Sequence, residues 1–348
     1  MSLLINALEN DEILTSNNFA KNSDIVFSEV VTKNYFEKIR NEKTRIIEET
    51  NLYVFYVLTE FELHENSIIF TNTYLLRALF DLIRDSKFKN LKIITSQTDH
   101  SINKKLFRFK PHSVSRWYST NVNYENSKLI PIPLGLANGY SPKNLNKKNY
   151  ANLQKEKNKI EKIYINFEQN TNYFHRIKLK KKLRNKDFVF IENKKLTLEK
   201  YINDLSSYKF ILCPWGNGLD SHRIWESLYA GSKPIIPFHN SLMKILKDNS
   251  VFFKKISEIN NLIISNKNDD VQKHQEILNI NYWIDLIRNN EAVVNQNSES
   301  IQSDYEEVIL NYRKMKSKED SQKKLYTFVR KLHNKIFNIF INILKIYT

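Results

Sequence analysis

The sequence predicts an α/β protein made of two domains. Three observations carry this. Short β-branched and aromatic runs alternate with helical patterns between residues 24 and 95, the style of a parallel sheet with crossover connections. The same alternation returns between residues 162 and 253. Between the two, at about 140 to 160, the composition shifts to a charged stretch that reads as a linker. A chain of 348 residues is long for one domain and comfortable for two.

The first half has strand candidates at Asp24–Phe27, Leu52–Val57, Ser67–Phe70 and Leu91–Thr95, each short and bounded by polar residues. A helix is expected over Thr73–Asp85, where Leu75, Leu76, Leu79, Phe80 and Ile83 share one face. Breakers then concentrate in Pro131-Ile-Pro133-Leu-Gly135 and run on to Gly139 and Pro142. The second half reads as strand Lys162–Phe167, helix Tyr173–Leu183, strand Phe188–Ile191, helix Leu196–Leu205 and strand Phe210–Cys213. Helix Ser221–Tyr229, strand Pro234–Pro237, helix Ser241–Lys247 and strand Val251–Phe253 follow. From Glu276 to the end the chain looks mostly helical, a tail able to pack back across the first domain. The expected division is 1–145, a basic linker at 146–160, a second domain at 161–300 and a tail at 301–348.

Composition narrows the function classes. The single cysteine, Cys213, excludes a disulfide scaffold and any multi-cysteine metal site. There are only five glycines, where average usage would give roughly 24. All lie between Gly135 and Gly231. Net charge is +16, from 54 Lys+Arg against 38 Asp+Glu. It has two readings: attraction to anionic partners, or drift toward Lys, Asn and Ile on the surface. Neither basic segment, Lys143–Lys162 or Arg176–Lys186, resembles a nucleic-acid module. The acidic N-terminal dozen residues do not read as a signal peptide, and no apolar run reaches the length of a membrane span. Near the C-terminus Lys331, Lys335, Asn338, Asn342 and Lys345 form a polar stripe beside a wide apolar face. That helix either lies in a membrane surface or docks on the body of the protein.

The most informative stretch is Lys209–Pro237. A buried strand runs into Pro214-Trp215-Gly216-Asn217-Gly218, and a helix starts near Asp220 or Ser221. Two glycines two apart allow a ligand to approach the backbone closely. The free N–H groups of the helix start suit a phosphate or diphosphate. Arg223 and Glu226, three apart, share a helix face. Arg223 there favours an anion, and Glu226 can accept two hydroxyls of a ribose or sugar. The alternative is a surface ion pair beside an ordinary loop. The spacing is not Gly-x-Gly-x-x-Gly, which argues against a dinucleotide fingerprint.

The block Cys213–Pro237 resembles the donor-binding signature of exostosin-like glycosyltransferases and related bacterial sugar transferases: a strand, a Pro-x-Gly loop, a helix with Arg and Glu, and a small-Gly-x-x-Pro-Ile turn. Trp117 and Asn121, with Ile130 to Gly135, resemble the passage found just before the linker in such enzymes. Tyr164-Ile-Asn166-Phe167, followed by Asn172 and Arg176, resembles the opening strand of the donor domain and the arginine that meets the diphosphate. The resemblance covers about residues 90 to 240. It implies the GT-B architecture: two Rossmann-like domains facing each other across a cleft, here with a helical C-terminal tail. The donor is held by the second domain and the acceptor by the first, with no bound metal required.

The expected function is therefore an inverting, metal-independent glycosyltransferase. It would move a sugar from a nucleotide-diphosphate sugar to a hydroxyl of a bacterial surface polysaccharide or lipid-linked glycan. Donor binding falls to Asn166, Arg176, Gly216, Asn217, Gly218, Asp220, Ser221, His222, Arg223 and Glu226. Without metal, Arg176, Arg223 and a helix N-terminus would stabilise the leaving diphosphate. Asp99, directly after a strand, is either the general base or a cap for a helix from Ser101 onward. His222 either touches the diphosphate or caps its helix. No Asp-x-Asp and no His-x-x-x-His occurs. The expected location is the cytoplasm, including the inner face of the cell membrane, where an anionic surface would meet the C-terminal helix. No nucleic-acid partner is expected. Two alternatives remain: a basic nucleic-acid-binding protein, and another anion-handling transferase or phosphatase on two α/β domains.

Overall fold

The computed structural model describes residues 12–141, 159–267, 274–289 and 294–346. The first eleven residues and nearly all of the expected basic linker lie outside these.

The first lobe begins with helix α1 (Ser16–Lys21), where the Thr15 hydroxyl accepts the Asn18 N–H. Strand β1 (Ile25–Thr32), helix α2 (Lys33–Ile39) and strands β2 (Thr44–Glu49), β3 (Tyr53–Leu58), β4 (Glu60–Glu65) and β5 (Ile68–Asn72) follow. Helix α3 (Leu76–Leu82) enters through a 3-10 turn, so the expected helix over 73–85 is shorter but buries the expected face: Leu75, Leu76, Leu79, Phe80 and Ile83 are all inaccessible. Then come β6 (Leu91–Ser96), a single turn α4 (Lys104–Phe107), β7 (Val114–Ser119) and β8 (Leu129–Pro131).

The seven-stranded sheet has the order β2-β3-β1-β5-β6-β7-β8. Strands β1, β5 and β6 run parallel, as expected, and β7 and β8, which are not among the expected strands, continue the parallel set; β3 pairs antiparallel with both β1 and β2. The Leu52–Val57 strand thus belongs to an antiparallel edge. Only three residues join β2 to β3, too few for a parallel crossover.

The second lobe matches its expectation closely. It comprises β9 (Ile160–Ile165), α5 (Tyr173–Leu183), β10 (Val189–Ile191), α6 (Leu198–Ser207), β11 (Tyr208–Leu212), α7 (His222–Tyr229), β12 (Lys233–Pro237), α8 (Asn240–Leu246), β13 (Val251–Phe253) and α9 (Ile259–Ser265). All five strands are parallel, in the order β10-β9-β11-β12-β13. One face of this sheet packs on Leu179 and Leu183 of α5 and Ile259 and Ile263 of α9. The other face joins a core that runs on into the first lobe, from Trp225 and Tyr229 to Leu14, Phe70, Tyr118 and Leu136. Truncating the inaccessible Trp225 to alanine would cost about 3–5 kcal/mol by the usual cavity cost.

After α10 (Ile280–Arg288) the expected helix is interrupted. Residues Val294–Gln302 form β14, paired antiparallel with β4. The run VNQNSESIQ has no apolar helical face, and a two-stranded ribbon gives its backbone partners without needing one. Helix α11 (Tyr305–Ile346) then crosses the first lobe. Lys316 and Tyr312 meet Glu48, and Glu319 accepts from the Tyr74 hydroxyl. Further along, Arg330 reaches the Asn170 carbonyl at 3.3 Å, and His333 stands edge-on to Phe174. The side chains of Asn338, Asn342 and Lys345, which complete the expected polar stripe, lie outside the description. Two Rossmann-like α/β lobes thus face each other across a cleft, with a long helical tail: the GT-B arrangement.

Candidate functional site

The loop that leaves β11 is shaped by its neighbours. The Cys213 N–H still donates to the Ile235 carbonyl at 2.9 Å, so the chain turns out of the sheet only at Pro214. A Cβ on Gly218 would stand 2.6 Å from Asn121 Oδ1, so any larger residue would displace the Asn121 amide. That amide oxygen also accepts the Asp220 N–H at 3.0 Å. Asn121, directly after the tryptophan-bearing strand β7, sits at φ 54°, a left-handed conformation that asparagine tolerates.

Asp220 is 4% exposed and ties the lobes together. One oxygen accepts the Leu134 N–H at 2.8 Å and the other the Trp225 indole N–H at 2.9 Å. Burial pushes its carboxyl up to about 6, against the pull of those two bonds. Ser221 is the N-cap of α7, but its hydroxyl is buried with no hydrogen-bond partner among the described residues, leaving the helix start without a side-chain cap. His222 turns to the first lobe, with Nδ1 2.8 Å from the Gly135 carbonyl.

The predicted donor residues fall into two adjoining groups. Gly216, Asn217, Gly218, Asp220, Ser221 and His222 line one wall of a cleft of about 460 Å³. The first lobe supplies the other wall, including Gln97, Thr98 and Asp99 after β6 and Leu134 and Asn138 after β8. Asp99 is exposed and accepts from Asn217 Nδ2 at 3.2 Å, across the cleft. It caps no helix: α4 starts later, with Asn103 accepting the Leu106 N–H.

Asn166, Arg223 and Glu226 form the second group, beside Tyr201, with Arg176 next to Arg223. The Arg223 guanidinium lies 5.4 Å from that ring centre and donates to Asn166 Oδ1. The Tyr201 hydroxyl donates to Glu226 Oε2 at 2.6 Å. Burial, with the nearby Glu226 carboxylate, holds the Tyr201 hydroxyl well above its ordinary range, so it stays a donor. Arg176 Nε donates to the Trp215 carbonyl at 3.1 Å, joining this group to the loop. Burial and the neighbouring Arg223 charge lower Arg176 to about 10, so both arginines remain cationic at neutral pH. Two clustered cations suit a diphosphate. Burial raises the Cys213 thiol to about 12, which leaves it inert beneath them.

Sequence reasoning missed three contributors. Tyr201 lies on α6, 25 residues from its partner Glu226, and nothing local marks it. Glu319 and Lys323 of α11 line the cleft beside Asp99. Glu319 is held by His100 at 3.3 Å, by Lys323 and by Tyr74, and those contacts bring its carboxyl down to about 2. Among the described residues no group of three or more His, Cys, Asp or Glu could hold a metal ion, and no helix is long and apolar enough to cross a membrane.

No protein-family model matches the chain, and no curated protein matches it. Among solved structures, one described as the crystal structure of an alpha1,3-fucosyltransferase is similar at 15% identity. The match covers 72% of this chain and 78% of that one, with a TM-score of 0.35.

Proposed function

We propose that the protein is a glycosyltransferase that takes a sugar from a nucleotide-diphosphate donor by a metal-independent, inverting route. The observation that carries this reading is the Arg223 group. Two arginines, an asparagine and a glutamate gather under a Pro-x-Gly loop at the carboxyl ends of β9 and β11, where open α/β sheets bind ligands. In this reading Arg176 and Arg223 neutralise the diphosphate as it leaves. Glu226 Oε1, which has no hydrogen bond among the described residues, takes a ribose hydroxyl. Asp99 removes the proton of the acceptor hydroxyl. The acceptor is a surface polysaccharide or lipid-linked glycan whose reacting hydroxyl meets the cleft wall of the first lobe, with residues 1–145 as the acceptor-side domain and 161–300 as the donor domain.

Work at the inner face of an anionic membrane belongs to the same reading. Leu325, Phe328, Val329 and Leu332 are all exposed on α11, beside Lys324 and Lys331. Flotation with anionic but not neutral vesicles is the expected result.

The decisive experiment is a thermal-shift and hydrolysis screen of nucleotide sugars and free nucleoside diphosphates. One base should stabilise the protein, and both Arg223→Ala and Glu226→Ala should abolish the shift while keeping the native circular dichroism. No response to any nucleotide would overturn the reading.

A further inference from the structure

A concavity larger than the cleft lies elsewhere on the second lobe. A groove of about 850 Å³ runs over the second lobe between α5 and the start of α9. Its banks are lysines. Lys178 and Lys182 lie one helical turn apart on the same side of α5, with Lys186 just past the helix end; Lys254 and Lys255 face them from the loop after β13. All five are exposed. No Asp or Glu is among the residues lining the groove. Glu258 stands close by, its carboxylate accepting the Lys254 and Lys255 backbone N–H groups at 3.2 and 3.1 Å; the five exposed lysines outnumber it, and an anionic occupant relieves their mutual repulsion.

Charge alone does not make a site, but the inner end of the groove adds aromatic surface. Trp215 and His175 both line it, with their rings stacked at 6.0 Å and 27°. Phe238 lines it too, with Lys254 Nζ 4.9 Å from its ring centre. Trp215 Nε1 and His175 Nδ1 are buried with no hydrogen-bond partner among the described residues. Unpaired buried donors and acceptors are uncommon and call for a partner. Burial, with the charges of Arg176 and Lys178 nearby, keeps His175 below its ordinary range and hence neutral at pH 7. Trp215 is also the residue next to Gly216, which lines the cleft. The loop Trp215–Gly216 thus gives one residue to the groove and the next to the cleft.

We propose that this groove holds the body of the acceptor, an extended anionic glycan whose carboxylate or phosphate groups pair with the lysines and whose inner sugar ring rests on Trp215. The proposal rests on the glycosyl-transfer reading and gives its acceptor a chemical class. Spacing supports it. Lysines four apart on a helix are about 6 Å apart along its axis, a repeat that an extended sugar chain carrying regular charges can follow. Sugar rings suit the aromatic end, and the cleft beyond is where a sugar would be added.

Calorimetric titration of the full chain tests this, with an oligogalacturonate, an oligo(glycerol phosphate), a neutral malto-oligosaccharide of equal length and a single-stranded oligothymidylate as probes. At least one acidic glycan should bind, more weakly as salt rises, and the neutral one should not. Whichever acid binds more tightly distinguishes carboxylate from phosphate polymers. The double variant Lys178→Glu/Lys182→Glu should lose tenfold or more in affinity, about 1.4 kcal/mol, while the charge reversal Lys104→Glu, exposed on the first lobe, binds as the parent does. Absence of acidic-glycan binding, or binding that survives the charge reversal, overturns the proposal. So does tighter binding of the oligothymidylate, which would assign the groove to nucleic acid. Nucleotide binding is read separately by thermal shift, so failure of the donor site and failure of the groove are distinguishable.

Discussion

Asp220 accepts the backbone N–H of Leu134 at 2.8 Å, so a carboxylate at the head of α7 in the second lobe fixes the loop that leaves β8 in the first. Its other oxygen is taken by Trp225. The residue thus sets the spacing of the two cleft walls from a position that is nearly inaccessible. An asparagine there keeps one acceptor but turns a donor toward the other N–H. Asp220→Asn should therefore cost about 1–3 kcal/mol, the price of an unpaired buried polar group. Urea denaturation measures it, and a change below about 0.5 kcal/mol would mean that the two bonds contribute little.

Asp99 is exposed, with Asn217 as its neighbour across the cleft. If it is the base, Asp99→Asn should lower turnover by about 10²–10⁴-fold and leave nucleotide affinity within about twofold. Turnover kept at the parent level would reassign the base, and Glu319 on the same wall is the next carboxylate to replace.

Glu29 on β1 gives a pH signature. It is 3% exposed, and burial lifts its carboxyl to about 8, only partly offset by bonds from Asn17 and Tyr56. Unfolded, it loses its proton near the ordinary value of 4.5. Between those two values the native state holds a proton that the unfolded state has lost. Stability from this group is therefore full below about pH 4.5 and drains away as pH rises to about 8. Glu29→Gln should flatten the fall in melting temperature between pH 5 and pH 8.5. A parallel fall in both proteins would refute it.

Glu48 and Glu319 behave in the opposite sense. Burial alone would raise Glu48, but bonds from Lys316, Tyr312 and Tyr53 bring it down to about 2, and Glu319 is held equally low, chiefly by His100. Both stabilise the docking of α11 above about pH 4.5, and both lose that effect as pH falls toward 2. Protection factors of the amides in residues 305–333, corrected for the intrinsic pH dependence of exchange, should fall over that window ahead of those in the second-lobe sheet. Glu48→Gln should reproduce part of the effect at pH 7, at roughly 1 kcal/mol for so exposed a cluster.

The second lobe was legible because its strands are short apolar runs, and the central β11 and β12 are buried on both faces, as parallel strands are. The strands β2, β4 and β14 were not. Their sequences TRIIEE, EFELHE and VNQNSESIQ carry little apolar signal, and they lie at an edge or in a two-stranded ribbon. The turns hid for another reason. Asn66, Asn121, Asn172, Asn185 and Asn289 all take positive φ, so asparagine does in this chain what glycine usually does. At the site, Arg223 and Glu226 could be read as a pair because one helix carries both. Tyr201, Leu134 and Glu319 could not, since only the tertiary fold brings them near.

Helix α11 is anchored at two places along its course, near residues 312–319 by Glu48 and Tyr74 on one lobe and near residues 330–333 by Asn170 and Phe174 on the other. A rod fixed to both jaws of a hinge acts as a splint. Any closure of the jaws around a substrate must flex the rod or release one of its fastenings. Force applied to its far end is then felt at the jaws, as tension on a tendon is felt at a joint.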